Sequence, residues 1–343
     1  MPSYVNIFTA VSLFLVTTNS TADDLFDMLK RMSEADQNRN YQGIFILRKS
    51  DKLSTLHVTH GVDSNGVWES LESLSGEPRK IIRHNKKVVS VYPDRKVITI
   101  RHMDDKRLLH PQLPDNIDQL ALFYSMQRLD DDRIADHQTL VLDLLPRDQY
   151  RYGYRYWVDK DTGMLLRCDL LDEDRAVVEQ MMFTSLDYLS ETPPETFDLQ
   201  EYERYQLQHL DDSKTHAKAE PVPQQWTVNR LPKGFLLTQI VKREAQLQIA
   251  ANDNSTEAEA SDATAPDTTV APDLLHMVYS DGLASVSVFI EKNQGAGKHL
   301  QGASSMGAVN AYGNAVGEHY VTVVGEVPAK TVRSMAQSTI QIP

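Results

Sequence analysis

Gly302-Ala303-Ser304-Ser305-Met306-Gly307 is the stretch in which a serine could be presented as a nucleophile. Gly295-Ala296-Gly297-Lys298 is the one in which backbone amides could cradle a phosphate. Neither has the spacing its chemistry needs. A Gly-x-Ser-x-Gly elbow requires glycine where Met306 stands. A dinucleotide fingerprint requires glycine where Leu300 stands, and a phosphate loop requires it at Lys292 and a hydroxyl at His299. No His-Glu-x-x-His occurs, and His57 and His60, three apart on a strand, point to opposite faces. Cys168 is the single cysteine, so neither an intrachain disulfide nor a paired-cysteine metal site is available. Asp169 to Asp174 joins two strands without calcium-loop spacing and reads as a solvated turn. No catalytic residue, cofactor or metal ligand is assigned, and a hydrolase is the weakest of the functional readings.

One charge feature remains. Arg79 to Arg107 holds ten basic and three acidic residues, +7 in a chain of formal net charge −13, so the rest carries −20. Arg79, Lys80, Arg83, Lys86, Lys87, Arg95 and Lys96 form a candidate docking strip for an acidic peptide or phosphorylated lipid headgroups. Single exposed pairs contribute only about 0.2–1 kcal/mol, so such a strip steers rather than holds. The acidic total argues against nucleic acid.

The elements that position these residues are mostly strands. Gly43–Leu47, Leu53–Val58, Val67–Leu74, Lys87–Tyr92 and Val97–Arg101 are short apolar runs separated by turn signals, the pattern of an antiparallel meander. A second group follows at Thr139–Leu145, Tyr150–Val158, Met164–Leu171 and Ala176–Leu186. Leu25, Met28, Leu29 and Met32 mark one face of an amphipathic helix over 23–37. Leu120, Leu122, Phe123 and Met126 suggest a second over 116–129. Together these predict a large, curved antiparallel sheet with two helices available to plug it.

A sheet with one covered face offers apolar area. Alternation selects Ile44, Ile46, Leu56, Val58, Val89, Val91, Ile98, Ile100, Tyr154, Tyr156 and Met182 as its concave lining, either as plain core or as the wall of a lipid cavity. At about 0.8 kcal/mol per buried methylene, an acyl chain of roughly 14 carbons could gain on the order of 10 kcal/mol before ordering costs.

The first 22 residues have the pattern of an export signal: an apolar run at Val5–Val16, too short to span a bilayer, then Ser20-Thr21-Ala22 before Asp23. The large unit is expected over 23–205 and a linker over 206–223. A smaller unit is expected over 224–343, with strands near Leu236–Lys242, Leu275–Ser280, Ala284–Glu291 and Tyr320–Val327 and a helix from Ala329. Inside it, 250–273 carries seven alanines, six acidic residues and no basic one, the composition of a disordered loop.

Several strings in order along the chain resemble the periplasmic sigma-E regulatory family RseB/MucB. They are Arg133-Ile134-Ala135-Asp136, YRYWVDKDTGMLLRCDLLDED at 154–174, VVEQMMF at 177–183, Leu231-Pro232 with Gly234-Phe235, YSDGLASVSVFIE at 279–291 and VTVVGEVPAKTV at 321–332. The uncharged start of the chain and the long acidic loop depart from the family pattern. The resemblance implies an α+β architecture: a large half-open β-barrel with a helical lid, like the lipoprotein carrier LolA, and a separate small C-terminal α+β domain. It implies a periplasmic, non-enzymatic negative regulator that binds the periplasmic part of a membrane-spanning anti-sigma factor (RseA or MucA) and shields it from site-1 proteolysis. Lipopolysaccharide or lipoprotein acyl chains would relieve that shield. Homo-oligomers are also implied. The alternative is a periplasmic lipoprotein or lipid carrier, for which the barrel and lid alone would suffice.

Overall fold

The computed structural model describes residues 22–35, 38–64, 66–102, 117–194, 199–210, 225–243, 274–293 and 299–342. The expected export signal apart from Ala22, the acidic loop and most of the linker lie outside them, as do Lys106 and Arg107.

Helix α1 spans Ala22–Ala35 and buries Leu25, Leu29 and Met32, the face its 3–4 spacing predicts. The meander follows as β1 (Tyr41–Lys49), β2 (Lys52–Asp63), β3 (Gly66–Ser73), β4 (Lys80–His84), β5 (Lys87–Tyr92) and β6 (Val97–His102). Two of its turns pass through positive φ, at Ser50 and at Gly66, where glycine carries no steric cost. A single 3-10 turn at Ile117–Gln119 and the short α2 (Leu120–Phe123) lead into β7 (Tyr124–Ile134). The helix expected over 116–129 therefore stops at Phe123. Then come β8 (His137–Pro146), β9 (Gly153–Asp159), β10 (Leu165–Leu171) and β11 (Val177–Tyr188). The β9–β10 turn is held by the Asp159 carboxylate, which accepts from the amides of Asp161 and Thr162. The first five residues of the expected linker form β12 (Gln206–Leu210), paired in parallel with β6.

These strands make one twelve-stranded sheet in the order β12-β6-β5-β4-β3-β2-β1-β11-β10-β9-β8-β7. Tyr41 partners both His60 of β2 and Tyr188 of β11, so β1 joins the two strand groups. The sheet curls until β7 packs against β11, and His137 Nε2 lies 3.3 Å from the Leu186 carbonyl. It is a half-open barrel, with β12 and β7 as its two ends.

The small unit has its own six-stranded antiparallel sheet. The strands of the unit are β13 (Trp226–Val228), β14 (Leu236–Arg243), β15 (Leu274–Ser280), β16 (Ser285–Lys292), β17 (Gly302–Met306), β18 (Val309–Val316) and β19 (His319–Gly325), followed by α3 (Ala329–Ser338) and β20 (Thr339–Gln341). The sheet order is β14-β15-β16-β19-β18-β17, and β13 pairs separately with β20. Val286, Val288, Ile290, Val321 and Val323 face Val332, Met335 and Ala336 of α3 across a compact core. The serine and glycines of the failed nucleophile motif are simply β17 and its turn.

Candidate functional site

The registers decide where the eleven predicted lining residues lie. Phe45 is opposite Leu56, whereas Ile44 is opposite His57, so Ile44 and Leu56 point to opposite faces. Tyr156 is opposite Cys168 and Cys168 opposite Met181, which puts Tyr156 on the face away from Met182. The eleven thus separate into three groups rather than one wall. Leu56, Val58, Tyr154 and Tyr156 face the inside of the curl, where the two tyrosine rings stack 5.8 Å apart. Ile44, Ile46 and Met182 lie half-buried on the other face. Val89, Val91, Ile98 and Ile100 share that outer face and form a separate core with Ile82, covered by Tyr202 and Tyr205.

The inside of the curl is packed. Leu25, Leu29 and Met32 of α1 join Tyr41, Phe45, Val58, Leu142, Leu144, Tyr156 and Phe183 in one cluster, and Ala308 of the small unit enters it too. Two groups in it are notable. Among the described residues the buried Tyr156 hydroxyl meets no hydrogen-bond partner, and burial raises the pKa of the Cys168 thiol far above its ordinary value.

The basic residues do not make one strip. Arg83 turns inward and pairs with the buried Glu69 at 3.7 Å. Arg95 is clamped on Glu77 by two bonds of 2.7 and 2.8 Å. Lys80 lies on the face opposite Arg83, opposite Val91 of β5, and Arg79 is half-buried before β4. Lys86, Lys87 and Lys96 are exposed at the β4–β5 and β5–β6 turns.

Open space is found elsewhere, along β7. A groove of about 1000 Å³ is lined by Leu25, Met126, Leu129, Val141 and Trp157, with Arg155 and the Arg128–Asp132 segment on its rim. Trp157 donates from Nε1 to Asp132 at 2.9 Å and carries the Arg167 guanidinium 4.0 Å above its ring.

At its start β7 meets the small unit, and there the chain buries an arginine. Arg151 donates from Nη1 to Asp281 Oδ2 at 2.6 Å, from Nε and Nη2 to the Asp148 carboxylate at 3.2 and 3.0 Å, and from Nη2 to the Lys233 carbonyl at 2.5 Å. Its guanidinium sits 5.0–5.6 Å from the rings of Phe123, Tyr124 and Phe235. Both side chains of the Arg151–Asp281 pair are fully buried. Asp281 also accepts the Tyr124 hydroxyl and the amides of Leu283 and Ala284. Burial, then the Asp281 carboxylate, pushes the Tyr124 pKa well up. Gly234 fits because it has no side chain: its φ is +90°, and a Cβ there would stand 2.6 Å from the Phe123 ring. Around this cluster Asn310 donates to Tyr152 at 3.0 Å and Thr331 to the Tyr150 carbonyl at 2.8 Å. At the far side of the same seam burial raises the Glu326 pKa, with Glu179 adding to it and Lys49 opposing. Nothing in the pattern of Tyr150–Val158 sets Arg151 apart from its neighbours. It lies before β9 and is the largest fully buried side chain described.

Residues 24–203 match the family described as the MucB/RseB N-terminal domain, and residues 220–340 match the MucB/RseB C-terminal domain. The chain is 29% identical over 343 aligned residues to the sigma factor AlgU regulatory protein MucB of Pseudomonas aeruginosa, covering 95% of this chain and 94% of that one. It is similar in structure to the P. aeruginosa MucA/MucB complex, with a TM-score of 0.66 at 28% identity over 93% of this chain and 99% of that chain. Against a crystal structure of MucB alone the TM-score is 0.56 at 27% identity, over 93% of this chain and 98% of that chain.

Proposed function

The chain belongs to the MucB/RseB family, and from that premise we propose that it is a non-enzymatic negative regulator of an envelope-stress sigma-factor response. It binds the periplasmic part of a membrane-spanning anti-sigma factor, shields that segment from site-1 proteolysis, and yields it when a lipid or lipoprotein signal arrives. It works in the periplasm. The observation that carries the reading is the seam: a relative solved together with MucA has this two-unit arrangement over nearly the full chain, and here a buried arginine fixes the units to each other. A carrier of the LolA type needs the barrel and lid alone and leaves that seam without a purpose.

The regulatory step is linkage. A lipid weakens partner binding only by favouring a state that binds the partner poorly. Among the described residues the inside of the curl is filled by the cluster around Leu29, Tyr156 and Phe183, and the groove beside β7 offers an acyl chain the apolar side chains of Leu25, Met126, Leu129, Val141 and Trp157. Lys86, Lys87 and Lys96 steer an acidic segment or headgroup without holding it. Second copies of the chain assemble with it, as the family resemblance implies.

The test is a pull-down of the purified mature chain with the periplasmic segment of the anti-sigma factor from the same organism, with and without lipopolysaccharide. Capture that lipopolysaccharide reduces is the expected result. Capture in neither condition refutes the reading.

A further inference from the structure

The sheet of the small unit ends on β14 at one side and on β17 at the other. Sheet ends are normally blunted by charges, bulges or covering elements, because bare backbone donors and acceptors recruit another strand. Strand β14 is blunted in this way: its register breaks between Leu237 and Gln239, and it finishes on Lys242 and Arg243. Strand β17, Gly302-Ala303-Ser304-Ser305-Met306, carries no charge and no break, and residues 303–306 are exposed. Its hairpin fixes which backbone groups face out. Gly307, at φ +62°, opens a two-residue turn whose flanking pair, Met306 and Val309, exchanges both backbone bonds. Alternation then turns the amide and carbonyl of Ala303 and of Ser305 away from β18. Among the described residues nothing takes these four groups.

A positive charge stands beside this ladder. Lys330, Arg333 and Gln337 recur at helical spacing along one exposed flank of α3. Gln337 donates to the Tyr312 hydroxyl at 3.2 Å, and the Arg333 guanidinium lies 5.6 Å from the Tyr312 ring. Tyr312 is directly opposite Ala303, so the flank borders the free edge. Lys330 is taken up by Gln149 at 2.9 Å and Glu173 at 3.9 Å. Arg333 meets no carboxylate among the described residues. Ala303 and Ser305 share the face of Tyr312 and are small, which leaves the guanidinium open to a side chain from a further strand.

Resting on the proposed function, we infer that an extended segment of the anti-sigma factor adds to the small sheet as a seventh strand along Ala303–Ser305 and sets an aspartate or glutamate side chain against Arg333. Backbone pairing supplies register and the carboxylate supplies selectivity. The edge is also tied to the seam at two points. The Ser305 hydroxyl bonds to Asn310, and Asn310 donates to Tyr152, one residue after Arg151, at 3.0 Å. Beyond Met306 a Cβ on Gly307 would stand 2.4 Å from Ser50 Oγ in the β1–β2 hairpin. A signal that shifts one unit against the other therefore disturbs the edge that holds the client.

The experiment measures binding of the fluorescently labelled periplasmic segment of the anti-sigma factor to the full mature chain. Ala303→Pro removes one outward amide and puts a ring in the path of the incoming strand, while the bonds to β18 remain. Arg333→Glu reverses the charge. Lys242→Glu, the same reversal at the blunted end of the sheet, is the control. Each of the first two should weaken binding about tenfold, while Lys242→Glu stays within about twofold. In the unaltered chain, amide exchange at Ala303 and Ser305 should slow on binding. Unchanged affinity in both variants, each melting like the parent, overturns the inference while leaving the proposed function standing. Weaker binding by Arg333→Glu with no added protection at Ala303 and Ser305 also overturns it, since the charge would then act without a strand. Loss of self-association in Ala303→Pro with partner affinity retained assigns the edge to a second copy and overturns it as well. No binding by the unaltered chain sinks the proposed function and the inference with it.

Discussion

Replacing Arg151 with methionine keeps most of the stem volume and removes the buried charged donor of the seam, leaving only the exposed Lys330, which donates to Gln149 at 2.9 Å. Asp281 is then left buried, with the Tyr124 hydroxyl on Oδ2 and two backbone amides on Oδ1. Removing one partner of a buried pair costs about 3–5 kcal/mol, because the other charge stays behind uncompensated. Three surviving donors put this case at the low end, about 3 kcal/mol. Asp148 adds little, since water can replace its lost partner at a half-exposed carboxylate. Arg151→Lys keeps a charge but loses the fork that spans Asp281, Asp148 and the Lys233 carbonyl, and should cost roughly half as much. With a denaturant slope of about 3 kcal/mol per molar, Arg151→Met lowers the urea midpoint of the full chain by about 1 M. Calorimetry should show more: the units lose their charged link and melt as two resolved peaks in place of one. A midpoint shift under about 0.2 M, with the melt still single, refutes the claim that this cluster couples the two units.

Tyr156→Phe deletes a buried hydroxyl that has no partner and should stabilise the chain by about 1 kcal/mol in urea unfolding; destabilisation by a similar amount would mean that the hydroxyl is satisfied. Glu326 has a pKa above the ordinary glutamate range, so the folded chain holds its proton more tightly than the unfolded chain. Its ionisation therefore opposes folding as pH rises through the folded pKa, and Glu326→Gln should stabilise at pH 7 with the gain vanishing below the ordinary glutamate pKa. A gain independent of pH contradicts that assignment. Cys168, packed on the core with its thiol pKa raised by burial, should resist thiol reagents in the native chain and react fully in urea; rapid native labelling would show that the core opens there.

Much of the architecture is legible in the residues. The 3–4 spacing of Leu25, Leu29 and Met32 reports α1, and the alternation in β1, β5 and β6 reports those strands within a residue or two, whereas β2, expected to end at Val58, runs on to Asp63. What alternation cannot report is the parity of one strand relative to the next. Ile44 and Leu56 both read as inward within their own strands, yet the pairing of Phe45 with Leu56 sets them back to back. Parity is decided by turn length and bulges, such as the break between Ile44 and Phe45 against β11. Strand β7 was masked for another reason. Leu120, Leu122, Phe123 and Met126 mimic a helical face, and an edge strand in water shows polar residues on both sides, so nothing periodic announces it. Likewise β17 and β18 are rich in Gly, Ala, Ser and Asn, residues with little strand preference. The buried Arg151 was beyond reach because its partners come from four separate places in the chain.

The placement of β1 has a consequence for how the molecule is made. Its one neighbour, β2, is next in the chain, but its other, β11, arrives only after all the strands between have been delivered, since Tyr41 must meet Tyr188. Trp226 must likewise wait for Gln341 at the opposite terminus of the small unit. Chain closure over such spans is slow. A polypeptide entering its compartment amino end first would therefore carry a bare meander and an undocked α1 for most of its synthesis, and would depend on holding factors until the last strands are in.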